Sequence, residues 1–196
     1  MAPILYLDYD GVLHPADVRV TKLEPAQPRV YVGGQPTDHQ LFEHAPLLER
    51  ILEAFPDVRI SLATSWVRTL GYEYAVQQLP PGLRARVVGT IWKGFLLQFP
   101  PHTRHDAITT DVEERGVGRW LALDDDVDGW PAERRHLVVS PTNNWHGLAQ
   151  PGISEELSHA LELLCTGGVL ESRLPPELGV PSTVDRLFGS NLAGST

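Results

Sequence analysis

Read as hydrophobic and polar positions alone, the chain alternates five short apolar runs with stretches whose apolar residues recur at helical spacing. The runs are PILYL (3–7), VRISLAT (58–64), RVVGTI (86–91), RWLALDD (119–125) and HLVVS (136–140). Between them, residues 44–55 are predicted helical and closed by Pro56, and residues 67–79 helical and closed by Pro80 and Pro81. Residues 104–116 read as a helix with Gly116 at its end, and 154–165 as a final helix. Ser154 is the expected N-cap of that last helix, with Glu155 and Glu156 in its first turn, where the helix dipole favours negative charge. Near-continuous apolar strands alternating with helices predict a parallel sheet covered on both faces. Such sheets bind ligands beyond the carboxyl ends of their strands, where strand order reverses. Whatever follows each strand is therefore expected to converge: Asp8-Tyr9-Asp10, Thr64-Ser65-Trp66, Asp124 to Asp128, and the residues from Ser140 onward.

Two segments stand outside this alternation. Residues 13–40 contain VRVTKL and RVYVGG, which predict a β-hairpin placed directly after the first aspartates, where it is positioned to overhang the site as a small flap. Residues 166–196 are rich in Gly, Pro and Ser and read as a loosely packed or partly disordered tail after a domain over 1–165. A length of 196 residues suits one such domain. The formal charge of -9, with only 16 Lys+Arg, argues against a broad phosphate-tracking surface, though a few arginines suffice for a single nucleic-acid end. The single cysteine, Cys165, forms no internal disulfide and is expected to be a buried small hydrophobe near a helix end. No apolar run approaches the ~20 residues of a membrane span. The N-terminal apolar stretch is too short for a signal sequence and is interrupted by Asp8. These features predict a cytoplasmic protein with no membrane partner.

The chemistry begins with Asp8 and Asp10. Side chains at i and i+2 of extended backbone share a side, so both carboxylates can face one ligand, and Gly11 then permits a turn. DDDVD (124–128) ends another strand expected nearby. Several carboxylates within a few ångströms repel one another unless protonated or joined by a cation. A hard divalent ion such as Mg²⁺, with oxygen ligands, is the natural solution. Carboxylates and Mg²⁺ at a strand edge suggest phosphoryl chemistry, in which one aspartate can attack phosphorus to form an aspartyl-phosphate. Taken singly these signals are weak: D-x-D-G is most often a turn, and 124–128 most often a solvated loop. Their joint placement at the ends of apolar strands, with Thr64 ending another, makes the case. Ser65, Asn143 and His146 are candidate substrate contacts, whereas Trp66 reads as helix packing and the remaining histidines as incidental. His102 and His105 have no second pair at zinc-like spacing.

This combination resembles the haloacid dehalogenase (HAD) superfamily of aspartate-dependent phosphatases. LYLDYDGVL matches the first motif, ISLATSW the second, TRHDAI the position of the third, and WLALDDDVD the fourth. The resemblance implies Asp8 as nucleophile and Asp10 as general acid/base, Asp10 also binding Mg²⁺ through its backbone carbonyl. It further implies Thr64 as a phosphoryl ligand, Arg104 as the third-motif cation, and Asp124 as a metal ligand supported by Asp125 or Asp128. Arginine stands where lysine is usual; it keeps the charge and can grip phosphate bidentately, but cannot give up its proton. Lys93 in TIWKG is the alternative for that role. ATSW, the third-motif arginine, LDDDxD and a late Gly147-Leu148 are similar to the HAD domain of Swiss-Army-knife RNA-repair proteins.

The expected fold is therefore a three-layer α/β Rossmann-like fold with a central parallel sheet, a small flap and no large cap domain. The expected function is a Mg²⁺-dependent phosphatase acting on a phosphate monoester through an aspartyl-phosphate. Its partner is a phosphorylated substrate: a small molecule, a nucleic-acid end, a nucleotide or a phosphoprotein. Two alternatives are a non-catalytic metal- or phosphate-binding regulatory module and a HAD-type phosphotransferase. Intact Asp8 and Asp10 weigh against the first.

Overall fold

A computed structural model describes residues 2–20, 28–32, 34–99, 101 and 103–168. The apolar runs become β1 (Ile4–Leu7), then a small antiparallel group β2 (Val18–Val20), β3 (Pro28–Val32) and β4 (Gln35–Pro36), then helix α1 (Ala45–Glu53) and β5 (Arg59–Leu62). There follow α2 (Trp66–Leu70), α3 (Tyr72–Gln78), α4 (Pro81–Arg84), β6 (Val87–Thr90), α5 (Gly94–Gln98), α6 (Arg104–Arg115), β7 (Trp120–Leu123), β8 (Val138–Val139) and α7 (Ile153–Thr166).

The main sheet has the order β6-β5-β1-β7-β8, and every pairing in it is parallel. All four residues of β1 and all four of β7 are buried. Successive strand side chains point to opposite faces, so both faces of the sheet are covered, as the unbroken apolar runs predict. The chain leaves β1 toward β5 and β6, then returns to the other side of β1 to form β7. Strand order thus reverses at β1, and the ends of β1, β5 and β7 lie side by side there. This is an α/β Rossmann-like fold, in agreement with the sequence. A single buried apolar cluster runs from Ile4 to Leu164.

The helices follow from local chemistry. Thr103 caps α6 by accepting the Asp106 N–H (3.1 Å), and Gly116 ends it in the left-handed conformation at φ 61°. α7 presents Ile153, Leu157, Ala160, Leu161 and Leu164 on one face and packs on β7 and β8. Its start corrects the expected N-cap: Gly152 takes that place, and the Ser154 hydroxyl donates to the Leu148 carbonyl instead. The predicted helix 67–79 is broken at Gly71, whose φ of 96° and ψ of 154° suit only glycine. Pro81 opens α4 in place of simply ending a helix, as its ring and missing N–H allow at a first turn. The predicted strand 136–140 shrinks to Val138–Val139, because residues 132–137 wind into a 3₁₀ helix after Pro131.

The predicted hairpin is present as the β2–β3 pair, with Val18 opposite Val30; residues 21–27 lie outside the described residues. Its base is tied to the 144 loop by the Ala16 N–H on the Asn144 carbonyl (3.0 Å). Cys165 is free and half-buried on α7, not fully buried as expected. Of the tail expected over residues 166–196, Thr166 ends α7 and residues 169–196 lie outside the described residues. Among the described residues, no helix is long and apolar enough to cross a membrane.

Candidate active site

The last rungs of the sheet deliver the acids. The Asp8 N–H donates to the Leu123 carbonyl of β7 (3.0 Å), and the Asp124 N–H to the Val139 carbonyl of β8 (3.2 Å). Both residues therefore leave ordered strands in register, with Asp8 3% exposed and Asp124 fully buried. Asp125 stands beside them. One carboxylate oxygen from each of Asp8, Asp124 and Asp125 lies within 4.8 Å of the others. Gly11 is what lets Asp125 so close: its φ is 68°, and a Cβ there would run into Asp125 Oδ2. Gly147 serves the same loop from the other side, since its Cβ would strike the Val12 carbonyl, while the Leu148 N–H donates to that carbonyl (2.9 Å).

The Asp8 carboxylate is held at both ends. Oδ1 accepts from the Tyr9 N–H (2.8 Å) and Oδ2 from Arg104 Nη2 (3.2 Å). Arg104, the first residue of α6, also places Nε 3.6 Å from Asp124 Oδ2 and donates through Nη1 to the Ala63 carbonyl. Burial alone would loosen its proton, but the Asp8 and Asp124 carboxylates more than offset this and raise its pKa. The alternative cation, Lys93, is turned elsewhere. Its Nζ lies 2.6 Å from Asp111, a buried carboxylate also bonded by Tyr6 and Arg115.

Asp124 Oδ1 accepts the Asp126 N–H (3.0 Å), whereas its Oδ2 is buried without a hydrogen-bond partner. Burial and the Asp8 charge push the Asp124 carboxyl well above the usual range. The same two causes push Asp125 up to about 7. An orphaned buried carboxylate oxygen, in a trio that offers only oxygen ligands, is a donor set that fits a hard divalent cation. Asp128 is not in the trio; it is exposed, and its N–H bonds Asp126 Oδ1 (3.0 Å).

Thr64, fully buried just beyond β5, accepts the Trp66 N–H on Oγ1 (3.3 Å). Ser65 beside it is exposed, as are Asn143 and His146. The Asn143 side chain accepts the N–H groups of Trp145 (3.0 Å) and His146 (3.4 Å), closing its own turn. The Asp10 side chain stands apart from the acidic trio. It is bonded by Trp66 Nε1 at 3.0 and 3.1 Å and by His14 Nε2 at 3.0 Å. Neither partner stands out in sequence reasoning: Trp66 reads as packing and His14 as incidental. The available signal is DGVLH, with a histidine four residues after an acid, and it carries no weight until a turn folds it back.

A Rossmann-like sheet whose carboxyl edge gathers three aspartates and a buried arginine defines a class of protein: an α/β domain with a charged site where its strand order reverses. Residues 4–153 match the profile of the HAD domain in Swiss Army Knife RNA repair proteins, and the chain belongs to that family. Comparison with curated proteins and with solved structures returned no match. Membership points to chemistry of the phosphatase or phosphotransferase type.

Proposed function

We propose that this protein is a Mg²⁺-dependent phosphatase that hydrolyses a phosphate monoester through an aspartyl-phosphate on Asp8. The supporting observation is the Asp8 carboxylate itself, buried and gripped by the Tyr9 N–H and Arg104 beside the Asp124–Asp125 pair. A carboxylate so oriented approaches phosphorus along one direction, with little freedom left to lose. Asp8 forms the new O–P bond as the bond to the leaving oxygen breaks, and Asp10 supplies that oxygen with a proton. Asp10 then takes a proton from the water that cleaves the aspartyl-phosphate, releasing inorganic phosphate and restoring Asp8. Arg104 donates to the phosphoryl oxygens and the Thr64 hydroxyl borders them. Asp8, Asp124, Asp125 and the Asp10 backbone carbonyl would hold Mg²⁺, which would supply charge neutralisation for the phosphate.

A terminal phosphate on a nucleic acid is the first substrate class to assay, because the matching family is described by RNA repair proteins. Nucleotides, sugar phosphates and phosphopeptides complete the panel. The lone free cysteine suits a reducing, cytoplasmic setting. The test is release of p-nitrophenol from p-nitrophenyl phosphate with Mg²⁺. Wild type is expected to turn over, and Asp8→Asn to lose about a thousandfold in kcat. No release by wild type, or equal release by the variant, overturns the reading.

A further inference from the structure

We propose that His14 and Trp66 are positioning residues that fix the Asp10 carboxylate for proton delivery to the leaving group, an inference that rests on the phosphatase reading above. The Asp10 side chain is 27% exposed and lies past the end of β1, so nothing in the sheet orients it. Two side chains from separate pieces of chain do. Trp66, from the start of α2, donates its indole N–H to both carboxylate oxygens. His14, from the turn after β1, contacts Oδ1 through Nε2. The direction of that bond follows from its other ring nitrogen. The Phe42 N–H donates to His14 Nδ1 (3.2 Å), so Nδ1 offers a lone pair and the ring proton sits on Nε2, facing Asp10.

The donors are themselves held. His14 is fully buried and Trp66 is 4% exposed. Phe42 meets the His14 ring edge-on at 4.9 Å, Tyr9 at 5.0 Å and Trp66 at 5.3 Å. Phe42 is also the non-glycine residue with positive φ (62°) among the described residues. Such backbone persists where its surroundings over-determine it, and here it aims an N–H at His14.

The bonding is asymmetric, and the asymmetry carries the chemistry. Oδ1 accepts from both His14 and Trp66, whereas Oδ2 accepts from Trp66 alone. Each carboxylate oxygen offers two lone-pair sites, so Oδ2 keeps one open for the transferable proton.

The test compares p-nitrophenyl phosphate with phenyl phosphate, at saturating Mg²⁺. The two have nearly the same shape, but nitrophenolate leaves readily without a proton and phenolate far less so. Because kcat/KM covers steps only through loss of the leaving group, its ratio between the substrates reports proton delivery. Measured on one preparation, that ratio is independent of the folded fraction. Trp66→Phe keeps a ring in the cluster, and His14→Phe does likewise. Each is expected to lower kcat/KM for phenyl phosphate about tenfold beyond its effect on p-nitrophenyl phosphate. His14→Gln, whose amide can donate where Nε2 stood, is expected to restore most of the ratio. A structural role lowers both substrates in proportion; an unchanged ratio in active variants overturns this proposal alone. Wild type that cleaves only the nitrophenyl ester overturns it too, since no group then delivers the proton. Wild type that cleaves neither removes the phosphatase reading and this inference with it.

Discussion

Asp124 concentrates the conflict inside the site. It is fully buried, its carboxyl is pushed upward by burial and by Asp8, and Oδ2 has no hydrogen-bond partner. Arg104 compensates at 3.6 Å but must also serve Asp8. Removing the charge while keeping the shape separates folding from ion binding. Asp124→Asn is expected to raise the metal-free melting temperature at pH 8 by about 2–4 °C, the response of a chain this size to roughly 1 kcal/mol. The rise produced by adding Mg²⁺ is expected to shrink, since the variant loses a ligand. Scanning calorimetry with and without Mg²⁺ checks both signs. At this scale Asp8 and Asp124 are legible in sequence, because each directly ends an apolar run. The choice between Asp125 and Asp128 is not. It depends on Asp125 packing against the bare Cα of Gly11, a contact between residues more than a hundred positions apart.

Among the elements, α6 matters most to the site because its first residue is Arg104. A helix start leaves N–H groups without partners, and the Thr103 side chain satisfies one of them. Thr103→Ala is expected to cost about 1 kcal/mol by urea denaturation. Fraying of that first turn is also expected to lower kcat/KM for p-nitrophenyl phosphate, while Thr110→Ala, on the same helix but away from its start, leaves it unchanged. Element identity is well marked in the sequence: the four longer strands of the main sheet fall within predicted runs, as do α1 and α6. The differences have local causes. Gly71 divides one predicted helix into two, and a 3₁₀ turn consumes most of the fifth run. Ser154 has the chemistry of a cap, but the chain entering α7 turns at Gly152, two residues earlier. A capping residue signals that a helix begins nearby; where the turn falls depends on what the preceding loop is attached to.

For the molecule as a whole, the acidic trio links stability, pH and metal. The Asp125 carboxyl rises from an ordinary value of 3.8 to about 7 in the folded protein, and Asp124 shifts in the same direction. Between those values the unfolded chain has released the Asp125 proton and the folded protein has kept it. Folding therefore binds a proton, and metal-free stability falls as pH rises from about 4 to about 7, then levels for this group. Mg²⁺ needs the deprotonated trio, so its stabilising effect runs the opposite way. The increase in melting temperature with saturating Mg²⁺ is expected to be larger at pH 8 than at pH 5.5. Equal increases at both would show that the Asp125 proton is not released when the ion binds.

The sequence by itself determined the architecture and set Asp8 and Asp124 at the ends of apolar runs. Strand and helix periods are local properties, and a parallel sheet obliges its strands to end at one edge, so the residues there follow from the order of apolar runs. Tertiary structure alone decided which of the candidates meet. It set Arg104 and not Lys93 against Asp8, because α6 starts above the sheet edge while Lys93 faces Asp111. It also gave the Asp10 carboxylate its partners, an indole N–H 56 residues distant and an imidazole whose tautomer is set by the Phe42 N–H. Hydrogen-bond direction and ring packing depend on how distant segments settle against one another in three dimensions, and no spacing along the chain encodes them.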